Sequence, residues 1–290
     1  MNMERHLQRG PVGERRYRRV LVASLTALAL TACGSTEVIK KERQEKAEFH
    51  HKLALGYFHA KNIDLAIREL VKSFEFDGDH PDSQYLYGFI LFGRKQYEEA
   101  AASFRKVLKR RPGFFAARNH LGVTYLELER WSDAIIVLKP LLKEPSYTTP
   151  YLAQNNIGWA YLKQSNLRLA EKHLRMAVFV NPKFCQGYRN LGLLAMDQRD
   201  LDGALEHFSS AVTRCPKVAE FHFQKGEVLA ASNRTKKAEV SFRTCRKLAG
   251  DSLLGRRCEA RMISGGGGGV RGIIPALSTW QGEAYEQASP

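Results

Sequence analysis

Cysteine and histidine are the residues here whose type and placement could do chemistry. The chain has five cysteines, Cys33, Cys185, Cys215, Cys245 and Cys258. Cys33 stands apart from the rest, directly after an apolar run, and a thiol in that place suits covalent modification. The other four lie in the C-terminal half, where an oxidising compartment allows disulfide bonds. His50, His51 and His59 carry ligand-type nitrogens, but read along the sequence they have no acidic or thiolate companion. They read as solvated side chains on a charged helix, and no metal is expected. Catalytic signatures are missing: there is no H-E-x-x-H, no paired C-x-x-C, no G-x-S-x-G and no phosphate loop ending in Gly-Lys-Ser/Thr. The run "GGGGG" (265–269) lacks that lysine and reads as flexible linker. No catalytic residue and no cofactor are expected, and the protein is read as a non-enzyme.

Cys33 is positioned by what precedes it. A basic segment, "ERRYRR" (14–19), leads into the 11-residue apolar run "VLVASLTALAL" (20–30). That fits the core of an export signal and is too short for a membrane span of about 20 residues. Leu30-Thr31-Ala32-Cys33 resembles the bacterial lipobox. The resemblance implies a diacylated sulfur on Cys33, cleavage just before it, and residues 1–32 as a signal peptide. One acyl chain anchors marginally, whereas two or three hold stably, because each buried methylene contributes about 0.8 kcal/mol. Gly34 and Ser35 follow, with no aspartate, which by resemblance implies the periplasmic face of the outer membrane. Residues 33–46 are expected to form a polar tether.

From residue 47 the chain repeats. Ala54, Gly88, Gly122, Gly158, Gly192 and Gly226 head equivalent segments at spacings of 34, 34, 36, 34 and 34. Twelve residues after each small residue comes Ala66, Ala100, Ala134, Ala170, Ala204 or Ala238, and four later Leu70, Phe104, Leu138, Leu174, Phe208 or Phe242. Small residues let two helices approach, and the i, i+4 partner continues the buried face. Pro112, Pro182 and Pro216 stop second helices, and Gly78 and Gly250 do so in the first and sixth units. The third unit carries two extra residues between Pro145 and Pro150, in "KEPSYTTPYLAQ" (143–154).

This is the period and pattern of tetratricopeptide (TPR) repeats. The expected fold is all-α, a right-handed superhelical solenoid of six helix-turn-helix repeats, at 47–80, 81–114, 115–150, 151–184, 185–218 and 219–252. Residues 253–290 show no helical period and read as a disordered tail. By resemblance to the family, the first helices line a concave groove. The groove residues singled out are Phe58, Tyr85, Phe89, Phe92, Asn119, Asn155 and Trp159. The aromatics offer apolar anchor contacts and the amides suit the backbone of an extended peptide. The carboxylate-clamp set of chaperone-binding TPR domains is absent. Repeat geometry favours Cys215–Cys245 as a disulfide, with buried thiols as the alternative.

Net charge is +15, of which residues 1–32 supply +4, residues 251–290 nothing and the body about +11. Such a balance attracts polyanions without selecting among them. A lipobox cysteine, a charged tether, six TPRs and the connection "LKEPSYTTPYLAQNNIGWAYLK" together resemble the type IV pilus pilotin lipoproteins of the PilF/PilW family, with its myxobacterial social-gliding branch. The resemblance implies a monomeric assembly factor for pilus biogenesis and surface motility. It would bind the secretin subunit, with the membrane engaged through Cys33 and no nucleic acid partner. Some pilotins carry cysteines in the first helices of repeats three and four; Tyr125, Leu126, Trp159 and Ala160 occupy that region here. The alternative is a TPR scaffold lipoprotein for a peptidoglycan or polysaccharide complex.

Overall fold

The computed structural model describes residues 37–264; Cys33, the segment expected as a signal peptide and residues 265–290 lie outside the described residues. Among the described residues there are thirteen α-helices, one 3₁₀ turn and no strand. The helices are α1 (37–59), α2 (Ile63–Phe76), α3 (Pro81–Gly93), α4 (Tyr97–Arg110), α5 (Phe115–Glu127), α6 (Trp131–Leu138), α7 (Pro150–Lys163), α8 (Leu167–Val180), α9 (Cys185–Asp197), α10 (Leu201–Arg214), α11 (Ala219–Ala231), α12 (Thr235–Ala249) and α13 (Leu253–Ser264). They fall into two compact units, Met1–Ile90 and Leu91–Pro290, divided within α3. No described helix is long and apolar enough to cross a membrane.

Each hairpin turns in the same way. Lys61, Lys95, Glu129, Ser165, Arg199 and Asn233 all have φ between 57° and 61°. They recur with the period of the sequence repeat. At each, the left-handed residue donates its N–H three residues back and the next residue donates five back, as in Ser165 N to Leu162 O (2.9 Å) and Asn166 N to Tyr161 O (2.9 Å). This pairing closes the first helix without glycine. Asn62, Asn166 and Asp200 then cap the second helix, each side chain accepting from the N–H three residues on.

In the first unit, Ala54, Ala66, Leu70, Leu86 and Ile90 form the core. In the second, each helix packs on the next, and first helices also touch one another, α5 on α7, α7 on α9 and α11 on α13. The close approach within a hairpin is between the small residue and the side chain sixteen positions on. A methyl added at Gly158 meets Leu174 Cγ at 2.8 Å, and one at Gly192 meets Phe208 at 2.7 Å. The relation recurs at Gly122 with Leu138 and Gly226 with Phe242. The alanine at +12 lies one turn before that contact and is fully buried in repeats one to five.

Three expectations need correction. Residues 37–46 are helical, so α1 consumes most of the expected tether. Residues 40–46 are all Lys, Glu, Arg or Gln, good helix formers, with a Glu42–Lys46 pair at 2.7 Å. Arg43 fastens it by donating to Phe76 O and Glu75 O, both at 3.0 Å. Second, the expected irregular tail begins with α13. Leu253 stands 34 residues after Ala219, so α13 is the first helix of a seventh repeat, with Ala260 in the small position. Leu254, Cys258 and Met262 repeat at i, i+4, i+8 and pack on the core, a pattern obscured by the polar residues around it. A terminal half-repeat of this kind covers the apolar face of the last full hairpin.

The third correction concerns the cysteines. Cys185 bonds to Cys215 and Cys245 to Cys258, each with Cα atoms 6.1 Å apart. The expected Cys215–Cys245 pair does not form. Cys185 opens α9 and Cys215 ends α10, and antiparallel helices of one hairpin bring those ends together. Cys245 lies inside α12 against α13, whose existence the sequence reading did not anticipate. The extra length of repeat three also has a further cause: Pro140 ends α6 at Leu138, and Lys139–Lys143 continue as a 3₁₀ turn before Pro150 starts α7.

Candidate functional site

Seven residues are candidates for a partner-binding face, and each unit places its own. In the first unit Phe58 on α1 meets Phe89 on α3 edge to face, centroids 5.8 Å apart and planes at 82°. Both rings, and Tyr85 a turn before Phe89, are half-buried. Burial pushes the Tyr85 hydroxyl up to about 12, so it stays a neutral donor and acceptor at any ordinary pH. Three first-helix aromatics thus stand on one helix pair.

The histidines of α1 are not uniformly solvated. His50 Nδ1 sits 2.7 Å from Glu69 Oε2, and its ring stacks on Phe76 at 5.6 Å. Lys72 takes the other Glu69 oxygen at 2.7 Å and, with His50, holds that carboxyl below its usual range. His59 is exposed. His51 is half-buried, and burial lowers its pKa.

In the second unit Phe92 is half-buried and packs on Tyr97 at 5.3 Å. Asn119 is 8% exposed, and its Oδ1 is buried and accepts no hydrogen bond. A buried carbonyl without a donor is costly and would gain from an N–H brought by a partner. Trp159 is half-buried, with Lys163 Nζ 5.5 Å and Arg189 Cζ 5.9 Å from its ring centre. Those cations favour the ring's electron-rich face.

Asn155 is placed differently. It is 3% exposed, donates Nδ2 to Asn156 Oδ1 at 3.2 Å and accepts from Asn190 Nδ2 at 2.8 Å. Arg189 NH1 completes the chain on Asn190 Oδ1 at 3.1 Å. Asn155 therefore belongs to the wall itself, and its amide is spent on holding repeats four and five in register. The sequence reading missed this because Asn156 and Asn190 are not at groove positions; the recurrence of amides one position on is the signal that points to it.

Toward the C-terminus the equivalent positions are covered. Arg257 of α13 lies 4.6 Å over the Phe223 ring, and Arg261 pairs with Glu227 at 2.7 Å. Both arginines stand 34 residues after the residue they cover. Burial raises the Glu227 pKa, against the pull of Arg261. The open part of the second unit's face therefore lies around Phe92, Asn119 and Trp159.

Family models for tetratricopeptide repeats match residues 91–145 and, through two overlapping copies, 155–219 and 189–244. Together these span half of the chain. The chain is a tetratricopeptide-repeat protein. Such repeats are in general non-catalytic protein-interaction modules. No curated protein sequence matches this TPR chain. Among solved structures it is similar to PilW, described as a widely conserved type IV pilus biogenesis factor, with 21% identity, a TM-score of 0.65, and coverage of 73% of this chain and 97% of PilW. PilF of Pseudomonas aeruginosa aligns at 17% identity and TM-score 0.61, covering 76% of this chain and 99% of PilF. MamA of Desulfovibrio magneticus aligns at 24% identity and TM-score 0.53 over 58% of this chain and 94% of MamA. At these identities the likeness establishes the all-α TPR solenoid fold.

Proposed function

We propose that this TPR protein is a pilotin, a non-enzymatic lipoprotein anchored through Cys33 on the periplasmic face of the outer membrane. It captures the secretin subunit of the type IV pilus and promotes its assembly into the multimeric channel, in the manner of the social-gliding branch of the family. The observation that carries this reading is the extent of the fold likeness, which takes in 97% of PilW and 99% of PilF. The lipobox-like Leu30-Thr31-Ala32-Cys33 supports it, as does the proline-bracketed connection between Pro145 and Pro150.

The mechanism is avidity. The first-helix face supplies a modest protein contact, the acyl chains a strong membrane contact, and the pair localises a bound subunit that neither would hold alone. Phe92 and Trp159 provide anchor chemistry for an extended segment of secretin, and the buried, unpaired Asn119 carbonyl is an acceptor that a close-fitting N–H would satisfy. Cell fractionation with Cys33→Ala tests the reading: the variant is expected in the soluble periplasm, with secretin left monomeric. Normal secretin multimers beside a soluble variant would overturn the anchoring role. Trp159→Ala is expected to weaken secretin capture while the protein stays folded, and unchanged capture would move the contact off this face.

A further inference from the structure

We infer that Glu48, His80 and Asp82, with His51 beside them, form a binding site for one divalent cation of the Zn2+ class where the first repeat meets the second. The four residues come from two places. Glu48 and His51 lie on α1, one turn apart, while His80 directly precedes α3 and Asp82 stands in its first turn. One ligand atom each from Glu48, His80 and Asp82 lies within 4.8 Å of the others. His80 Nε2 is 3.4 Å from Glu48 Oε2, close to the separation of about 3.3 Å that two ligands at Zn2+ bonding distance have in a tetrahedral site. The rings of His51 and His80 are 5.7 Å apart, and His51 Nδ1 is a buried nitrogen with no hydrogen-bond partner. His51, companionless along the sequence, thus stands beside a second histidine and two carboxylates in space.

The surroundings of His80 suit a ligand. Ser73 Oγ donates to Ala47 O at 2.9 Å and lies 2.7 Å from Ser83 Oγ. With its single proton given to Ala47, Ser73 can only accept from Ser83. Ser83 Oγ in turn meets His80 Nδ1 at 3.0 Å as an acceptor. In that arrangement Nδ1 carries the ring proton and Nε2 turns a lone pair toward two carboxylates, the outer-sphere pattern that fixes a metal-bound imidazole. In the competing tautomer, Nδ1 accepts from Ser83 N–H at 3.3 Å and Nε2–H donates to Glu48. That proton is what the cation displaces.

The donor set selects the metal. Two carboxylates and imidazole nitrogen suit Zn2+ and its transition-metal neighbours, whereas Ca2+ and Mg2+ require a shell of oxygens. The positive N-terminal end of α3 opposes a cation with about half a charge, and the two carboxylates outweigh it. A bound ion would tie α1 of the first repeat directly to α3 of the second, at the end of the chain nearest Cys33.

The experiment is a Zn2+ titration of the chelator-treated full chain by calorimetry, paired with Co2+ and its visible absorption as a report of coordination. The expected result is one equivalent bound, a rise in Tm and a tetrahedral Co2+ spectrum. His80→Asn keeps an acceptor to cap α3 and removes the imidazole; it is expected to weaken Zn2+ binding by at least roughly 100-fold, beyond what outer-sphere changes cause. Glu48→Gln, on α1 and away from that cap, is expected to act in the same direction. His59→Ala is expected to bind as the parent does. Binding by the parent no tighter than by His80→Asn and Glu48→Gln, or loss of binding in His59→Ala, would overturn the site.

Discussion

Asn190 donates its Nδ2 to Asn155 Oδ1 at 2.8 Å, joining first helices of adjacent repeats through buried amides. Helical hairpins that pack only through apolar side chains can slide; a hydrogen bond at a fixed height cannot. The network running Arg189, Asn190, Asn155, Asn156 sets the register of repeats four and five, directly beside Trp159. The candidate face thus stands on a polar support as well as an apolar core.

Asn155→Ala removes one link and leaves the Asn190 amide buried without its acceptor. An orphaned buried donor costs about 1–3 kcal/mol. Urea unfolding is expected to show a loss of that size; a change under about 0.5 kcal/mol would mean that water replaces the missing amide.

The glycines separate into two classes with opposite expectations. At Gly192 an added methyl lies 2.7 Å from Phe208 inside a filled core, so Gly192→Ala is expected to cost about 1–3 kcal/mol. Gly56, exposed within α1, has nothing within 4 Å of an added methyl. Gly56→Ala is expected to stabilise by about 0.5–1 kcal/mol through backbone entropy alone. Thermal unfolding of the two variants checks both signs, and equal shifts would contradict the packing account.

The repeat register was legible because it is written in residues with one role each. The small residue at the head of each segment and the bulky one sixteen later face one another, so neither can vary without the other. Pro140 and α13 escaped for opposite reasons. Pro140 lies two residues beyond Leu138, the last position the repeat pattern marks, and α13 keeps its register with an alanine in the small position and arginines on its face. The groove residues were legible as positions but not as environments: Phe58 and Trp159 remain half-buried, whereas Asn155 is claimed by neighbours 1 and 35 residues away. The partner of Cys245 lies on the missed helix, whereas Cys185 and Cys215 share a hairpin that the repeat pattern already places.

Acid is expected to destabilise the protein through its half-buried histidines. Burial holds His51, His120, His173 and His207 below the ordinary histidine value. Between the lowered folded values and about 6.5, the unfolded chain binds more protons, so stability is full above that value and declines as pH falls below it. Burial raises the carboxyls of Glu127 and Glu227, which act in the opposite direction above their unfolded value of 4.5. Four histidines against two carboxyls predict a net fall in Tm from pH 7 to pH 5.5, reduced in His207→Gln. A Tm that rises over this interval would show that the carboxyls dominate.

Cys245 and Cys258 are fully buried and close the link that fastens α13 to α12, 13 residues apart. A loop of this size stabilises by about 3 kcal/mol when cross-linked. Cys258→Ser is therefore expected to lower Tm and to open the region of α13 to protease. Because Arg257 and Arg261 cover Phe223 and Glu227, the same variant is expected to expose the first-helix face of repeat six while leaving repeat four folded. Non-reducing peptide mapping of the parent checks the connectivity on which this rests. It is expected to recover Cys185 with Cys215 and Cys245 with Cys258, and a peptide joining Cys215 to Cys245 would remove the basis for treating α13 as a fastened cap.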